Sequence, residues 1–486
     1  MKPSSSVKAD AAAPQIAAAP ATTVPASPPT VGQGQPPADM FFQDAGDNPI
    51  INTSKQPIST FAVDVDTASY TVARNYLTRG TLPPAEAIRV EEFINYFPQQ
   101  YAAPRQSVAV YIEGAPSLFH TGWHTVQIGL KAREVSQEQR KPAILTFVID
   151  VSGSMEMENR LGLVKQSLNL LLDQLRAEDQ VGIVVYGTTA QVWQTHTADK
   201  ALIRQRVQAL ASNGSTNAEA GLTLGYDQAY RAHKEGFTNR VILCSDGVAN
   251  VGNTGPDAML KRIEDYRTKG ITLTTVGFGM GNYNDVLMEK LADKGDGHYA
   301  YVDTVAEARR VFLEQVTGTL ELVAKDAKIQ VQFDPAQVSA YRLVGYENRG
   351  MKNEDFRNEK ADGGEMGAGH AVTALYEVQL IGKGQPLGRV FVRYKEPTSG
   401  ETIEVEVPIA WPALAPSAAT ASARLRWTAS VAEFAGILGK SPWAAESNLA
   451  GVMETARKAA SDLDMPAAHK ESLDLMDRAF RLRGAR

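Results

Sequence analysis

The sequence predicts an α/β protein: a doubly wound parallel sheet at its centre, flanked by a small α+β module before it and a β-sandwich plus helices after it. Three observations carry this prediction. Short apolar runs alternate with helical patterns between residues 142 and 322, as strand-helix-strand units require. Beyond residue 323 apolar and polar residues alternate with period two, the pattern of half-buried strands. The chain has 486 residues, too many for one ordinary core.

Residues 1–56 are assigned to an Ala/Pro-rich tether. The first 40 contain eight of the chain's 25 prolines and few side chains able to build a core, so they are expected to be disordered. Residues 57–135 form the leading α+β module. A strand is expected over 60–65, then a helix to Leu77 with Asp66 as its N-cap. Gly80 ends that helix, and Pro83 and Pro84 precede a second one carrying Ile88, Val90, Phe93 and Ile94. Strands follow over 108–113 and 123–130.

The central unit is placed at 142–322. Residues 143–149 are continuously apolar, as a strand buried on both faces must be. Leu161, Val164, Leu168, Leu171, Leu172 and Leu175 then share a helical face. Strands are predicted over 181–186, 241–245, 271–276 and 298–302. Helices are predicted over 199–210, 218–234, 256–269, 284–293 and 304–320. The sandwich is placed at 323–415, with strands over 328–333, 376–380, 389–394 and 401–407. Residues 416–486 read as helical: Trp427, Val431, Phe434 and Leu438 lie on one face, and Leu449, Val452, Met453, Ala456 and Leu463 on another.

Composition excludes several functions. A net charge of -6 with no basic run argues against nucleic acid, because tracking phosphates needs concentrated Lys and Arg. The single cysteine, Cys244, rules out an internal disulfide and lies in an apolar run, where it reads as a small buried hydrophobe. No stretch is long and apolar enough for a transmembrane helix, and no signal segment is visible.

The chemistry concentrates after the first central strand, in Asp150-Val151-Ser152-Gly153-Ser154. Ligands of open α/β sheets bind beyond the carboxyl ends of the strands, where the strand order reverses. One carboxylate and two hydroxyls can be aimed there at one point, with Gly153 allowing a tight turn. Thr216, in a Gly-Ser-Thr-Asn loop, and Asp246, in Ser-Asp-Gly, can reach the same edge. Two carboxylates and three hydroxyls are hard oxygen donors, suited to Mg2+, with Ca2+ or Mn2+ also admitted. No Cys or His stands at zinc-ligand spacing near these loops. Two aspartates neutralise a divalent ion, and five side chains leave one octahedral position for an outside oxygen. Asp64, Asp66 and Ser69 are a lesser candidate cation site. Loops 186–190 and 282–285 are candidate partner contacts.

These residues make the central region resemble the von Willebrand factor type A family. Its metal-ion-dependent adhesion site has the order D-x-S-x-S, Thr, Asp, matched here by Asp150, Ser152, Ser154, Thr216 and Asp246. The resemblance implies a Rossmann-like fold and binding of a protein partner through the metal, without catalysis. Residues 61–70 (FAVDVDTASY), 90–97 (VEEFINYF), 345–349 (GYENR) and 362–375 resemble the flanking modules of a bacterial subgroup of that family. That resemblance implies an exported or lipid-anchored envelope protein, its membrane tether an N-terminal anchor not visible in these residues.

The leading expectation is therefore a metal-dependent module that captures an acidic residue of a protein partner, with no nucleic acid and no small-molecule substrate. Two other classes compete. One is a metal-dependent hydrolase, which lacks an evident general base here: no His lies near the loops. The other is a structural site whose open position is filled by the chain's own flanking modules.

Overall fold

The computed structural model describes residues 42–63, 66–247, 256–279, 284–315, 318, 320–463 and 467–484. Most of the proposed tether, and Asp64, lie outside the described residues, as do Asn282 and Tyr283 of the second candidate partner loop.

The leading segment contributes β1 (Ile51–Asn52), β2 (Ile58–Ala62), β3 (Val108–Pro116) and β4 (His124–Ala132), with helices α1 (Ala68–Thr78) and α2 (Val90–Tyr96) between β2 and β3. The central unit contributes β5 (Ala143–Asp150), α3 (Arg160–Gln174), β6 (Gln180–Tyr186), β7 (Ala190–Thr197), α4 (Lys200–Gln208), α5 (Ala218–Ala232), β8 (Thr238–Ser245), α6 (Pro256–Arg267), β9 (Ile271–Phe278), α7 (Asp285–Lys294), β10 (Tyr299–Val302) and α8 (Val305–Arg309). After α8 the chain continues as a π-helical turn, Arg310–Gln315. The trailing segment contributes β11 (Leu322–Phe333), β12 (Val338–Val344), β13 (Gly350–Met351), β14 (Gly364–Gly367), β15 (Ala371–Leu380), β16 (Gly388–Lys395) and β17 (Thr402–Pro408). Helices Ala423–Leu438, Leu449–Asp462 and Ala467–Gly484 follow.

The central sheet has the order β10-β9-β8-β5-β6-β7. Its first five strands are parallel, and β7 is antiparallel at the edge. All eight residues of β5 are buried, which is why its sequence shows no alternation. Each such apolar side chain contributes roughly 1.5–3 kcal/mol. Edge strand β7 was not predicted. None of its residues is fully buried, so its sequence carries little hydrophobic signal.

The leading module and the trailing sandwich, read as separate from the sequence, are one body. One sheet runs β1-β12-β15-β4-β3 and the other β13-β2-β11-β16-β17, so each mixes strands from both ends of the chain. Phe61 stands opposite Ile329, and Val126 opposite Tyr376. Their side chains share one core with Ile128, Val331, Phe333 and Val390. The α/β unit is inserted between the two halves. The helices of both ends also pack together, with Tyr70, Phe93 and Phe97 against Trp427, Phe434 and Val452.

Asp66 does not cap α1: Thr67 is the N-cap, without a side-chain hydrogen bond. The Asp66 carboxylate instead accepts from the Tyr299 backbone N–H at 2.8 Å and pairs with Arg349 at 3.0 Å. Ser69 Oγ donates to the Ala87 carbonyl and accepts from the Arg89 backbone N–H. Both residues of the lesser candidate cation site that are described are thus engaged in structural contacts.

Buried ion pairs fasten the insert. Arg89 pairs with Glu92, with Asp285 at 2.8 Å and with Glu289 at 3.8 Å. Arg349, from the GYENR segment, pairs with Glu289 and Asp293 at 3.0 Å each. Removing one member of such a network strands its partners in a low dielectric. Arg89→Met is expected to lower unfolding stability by about 3–5 kcal/mol. Denaturant titration checks this, and a loss below about 1 kcal/mol, the range of an exposed pair, would refute it.

A second contact docks the C-terminal helices on the sandwich. His120 Nε2 lies 3.2 Å from Glu433, and that hydrogen bond raises the imidazole pKa above its ordinary value. Glu377 and Arg342 face the same pair. A histidine raised on folding stabilises fully below the unfolded pKa, about 6.5, and the effect fades as pH climbs through the folded value. Melting temperatures compared from pH 6 to 8 should therefore fall more steeply for the native chain than for His120→Gln. Parallel curves would exclude the contact as a source of pH dependence.

Candidate metal centre

The order of the central sheet reverses at β5, which has β6 on one side and β8 on the other. The crevice beyond its carboxyl end is the switch point at which such sheets bind ligands. Asp150 is the last residue of β5, and Ser245 is the last of β8. Asp246 follows directly, so two carboxylates are delivered by adjacent parallel strands.

Backbone hydrogen bonds draw the loops together. Val151 N–H donates to the Tyr186 carbonyl at 2.8 Å, Asn213 N–H to the Val151 carbonyl at 2.6 Å, and Gly153 N–H to the Gly214 carbonyl at 3.0 Å. Asn217 N–H donates to the Gly187 carbonyl at 2.9 Å. Thr216 lies inside this stapled segment and is half-buried. The 186–190 loop braces it: Thr188 Oγ1 accepts from the Ser215 backbone N–H at 3.1 Å. Gly214 has φ +85°, and a Cβ there would meet Thr188 Oγ1 at 2.6 Å, so glycine is required at that crossing. Gly153 is different. It opens a short 3-10 helix, Gly153–Asn159, and a Cβ would make only an ordinary contact 3.6 Å from the Gly214 carbonyl, so the turn does not depend on glycine.

Asp150 is fully buried. Its Oδ1 accepts from the Ser152 backbone N–H at 2.8 Å and its Oδ2 from Ser245 Oγ at 3.1 Å. Burial, and then the charge of Asp246, push its pKa up to about 6. Ser152 Oγ and Ser154 Oγ lie 3.0 Å apart. Asp246 is buried and its Oδ2 accepts from Arg160 Nη1 at 2.7 Å.

Two side chains here escaped the sequence reading. Ser245 was passed over as part of a strand, although its position directly before Asp246 brought it to the same edge. Arg160, the first residue of α3, is 3% exposed and also donates to the Ser154 carbonyl at 3.3 Å. A cation ten residues past Asp150, at the start of the predicted helix, was the available signal. Cys244 is fully buried in β8, in agreement with the sequence reading.

Apart from Arg160, the side chains whose contacts are described at this edge, Asp150, Ser152, Ser154, Ser245 and Asp246, offer oxygen, the ligand class that Mg2+, Ca2+ and Mn2+ take. Among the described residues no group of three or more His, Cys, Asp or Glu is arranged to hold a metal; the donors here are two carboxylates supplemented by hydroxyls. Beside them lies a groove of about 370 Å³, lined in part by Val151, Gly187, Thr188, Trp193, Leu210 and Gly214. No described helix is long and apolar enough to cross a membrane.

Comparison with known proteins matches residues 145–319 to the von Willebrand factor type A domain and residues 36–127 to a model described as von Willebrand factor. Residues 318–389 and 382–482 match the C-terminal region of the uncharacterized protein YfbK. YfbK of Escherichia coli is 35% identical over 429 residues, covering 82% of this chain and 74% of that one. The human inter-alpha-trypsin inhibitor heavy chain H3 is 28% identical over 264 residues, 49% of this chain and 29% of that one. Among solved structures, a von Willebrand factor type A protein from Catenulispora acidiphila aligns with a TM-score of 0.46 and 16% identity, over 75% of this chain and 89% of that one. With this extent of identity to YfbK, the chain belongs to the YfbK family of bacterial proteins, and it is built around a von Willebrand factor type A domain.

Proposed function

We propose that the chain is a metal-ion-dependent protein-binding module of the bacterial cell envelope. A Mg2+-type ion, with Ca2+ or Mn2+ as substitutes, is held by Asp150, Ser152, Ser154, Thr216 and Asp246. Its open position takes a carboxylate from an acidic residue of a partner protein. The observation that supports this reading is the backbone bonding of the 151–153 and 213–214 segments at the sheet's switch point, beside the strand end that delivers Asp246, with the Ser152 and Ser154 hydroxyls 3.0 Å apart. The buried Asp150 supports it as well. A carboxylate held dry at a cost in stability is the signature of a functional position. The Ala/Pro-rich first residues suit a tether to the envelope surface.

Binding is favoured over hydrolysis because, among the described residues, no histidine hydrogen-bonds to these donors. Binding of an outside partner is favoured over an internal ligand because, among the described residues, the hydrogen-bond partners of the Asp150, Ser152, Ser154 and Asp246 side chains belong to the α/β unit itself.

The test uses Asp150→Asn, which keeps the shape and removes the charge. Mg2+ should raise the melting temperature of the native chain and leave that of the variant unmoved. Pull-down of partners from envelope extract should depend on Mg2+ only for the native chain. Capture that is indifferent to chelator and to the substitution would end this reading. Turnover of an ester or phosphate panel lost in Asp246→Ala would replace it with a metal-dependent hydrolase.

Without metal the sign reverses. A carboxyl whose pKa rises on folding, from about 4 to about 6, makes the folded state lose stability as pH climbs through that interval. Above pH 6 the metal-free Asp150→Asn chain should therefore be more stable than the native one, by about 2–3 kcal/mol. The two should converge near pH 4. Denaturant titration in chelator across pH 4–8 checks this, and a variant less stable at pH 7 would contradict it.

A further inference from the structure

Arg160 has no place in the proposed five-residue site, yet it sits inside it. Its guanidinium is buried, with Nη1 on Asp246 Oδ2 at 2.7 Å and on the Ser154 carbonyl at 3.3 Å. It thus touches two of the three segments that converge there. The wall behind it is tight: a Cβ on Gly279 would fall 2.2 Å from Arg160 Nε and 2.7 Å from its Cγ. Gly279, at the end of β9, also has φ +77°, so both space and backbone demand glycine where the side chain passes. So enclosed, the guanidinium, a positively charged group, is kept against Asp246.

The charge count then changes. Two aspartates alone neutralise a divalent ion, and the loaded site has no net attraction for an anion. With Arg160 fixed beside them, the loaded site keeps one positive charge, which a single carboxylate cancels. The unloaded site keeps one negative charge, which draws a cation. We infer that Arg160 is the specificity-determining residue of this site: it weakens the metal's hold and gives the loaded site its preference for an anionic partner group. The inference rests on the metal reading above and deepens it. It also assigns Asp246 a partner in the metal-free state, where the ion pair with Arg160 holds the carboxylate in place.

A residue that only packed the start of α3 would shift both binding steps in the same direction or neither. A charge acting on both shifts them in opposite directions. The probes are Mn2+ alone, titrated by calorimetry, and acetate, followed by its relaxation in the presence of the Mn2+-loaded chain. In Arg160→Gln, Mn2+ should bind about tenfold more tightly and acetate about tenfold more weakly. Arg160→Lys, which keeps the charge, should stay within about threefold of the native chain in both. Arg160→Met keeps the buried stem and carries the same two expectations as Arg160→Gln should that variant fail to fold. Weaker or unchanged Mn2+ binding in the neutral variants, or acetate binding that does not fall, would overturn the role of Arg160. A native chain that binds no Mn2+ would instead overturn the metal reading on which the role depends.

Discussion

The pairing of β5 with β6 on one side and β8 on the other is the constraint on which the rest of the site depends. Because β6 pairs with one side of β5 and β8 with the other, the connections on the two sides diverge at the carboxyl end of that strand. The space left there is bounded by loops instead of by a packed layer. The register sets Asp150 beside Tyr186 and Ile149 beside Cys244, so the residues just past β8 emerge next to Asp150. A slip of one residue in β5 would turn Asp150 to the other face of the sheet and bury a different side chain at the rim.

At the rim, stability and readiness for a ligand pull against each other. Asp150 is fully buried, accepts two hydrogen bonds and still has its pKa pushed up to about 6, because desolvation and the neighbouring Asp246 outweigh them. Arg160 offsets part of that repulsion by pairing with Asp246 and not with Asp150. The result is an asymmetric pair of carboxylates, one satisfied by a cation and one held ready by neutral donors. Such an arrangement costs the folded chain energy that a packed hydrophobic pair would not.

The flanks are built around the α/β unit and not merely joined to it. Strands from the two ends of the chain alternate in both sheets of the sandwich, so neither end can complete its sheet alone. Helix α7 is held from two sides, by Arg89 of the leading segment and Arg349 of the trailing one. Asn284, the residue that caps α7, donates its backbone N–H to the Gly247 carbonyl, one residue past Asp246. The ion pairs that fasten the insert therefore end one helix away from the metal-edge loop.

The sequence by itself determined the local elements and the order of the site residues. The apolar run of β5, the heptad-like leucines of α3 and the D-x-S-x-S string are each encoded within a dozen consecutive positions, where periodicity and side-chain chemistry are visible. That Asp150 and Asp246 leave the sheet at one edge was legible because a parallel sheet brings the carboxyl ends of its strands to the same side. Only the tertiary structure decided the rest. Phe61 and Ile329 pair across 268 positions, and Arg89 reaches Asp285 across 196, and no local pattern announces partners so distant. For the same reason Asp66 read as a helix cap, the role its neighbours allow, when a remote backbone N–H and Arg349 had claimed its carboxylate. Arg160 drew no notice in the sequence, and only the fold set it against Asp246. Hydrophobic patterning is a local property of the chain, whereas strand register and buried charge pairing are properties of the packed whole.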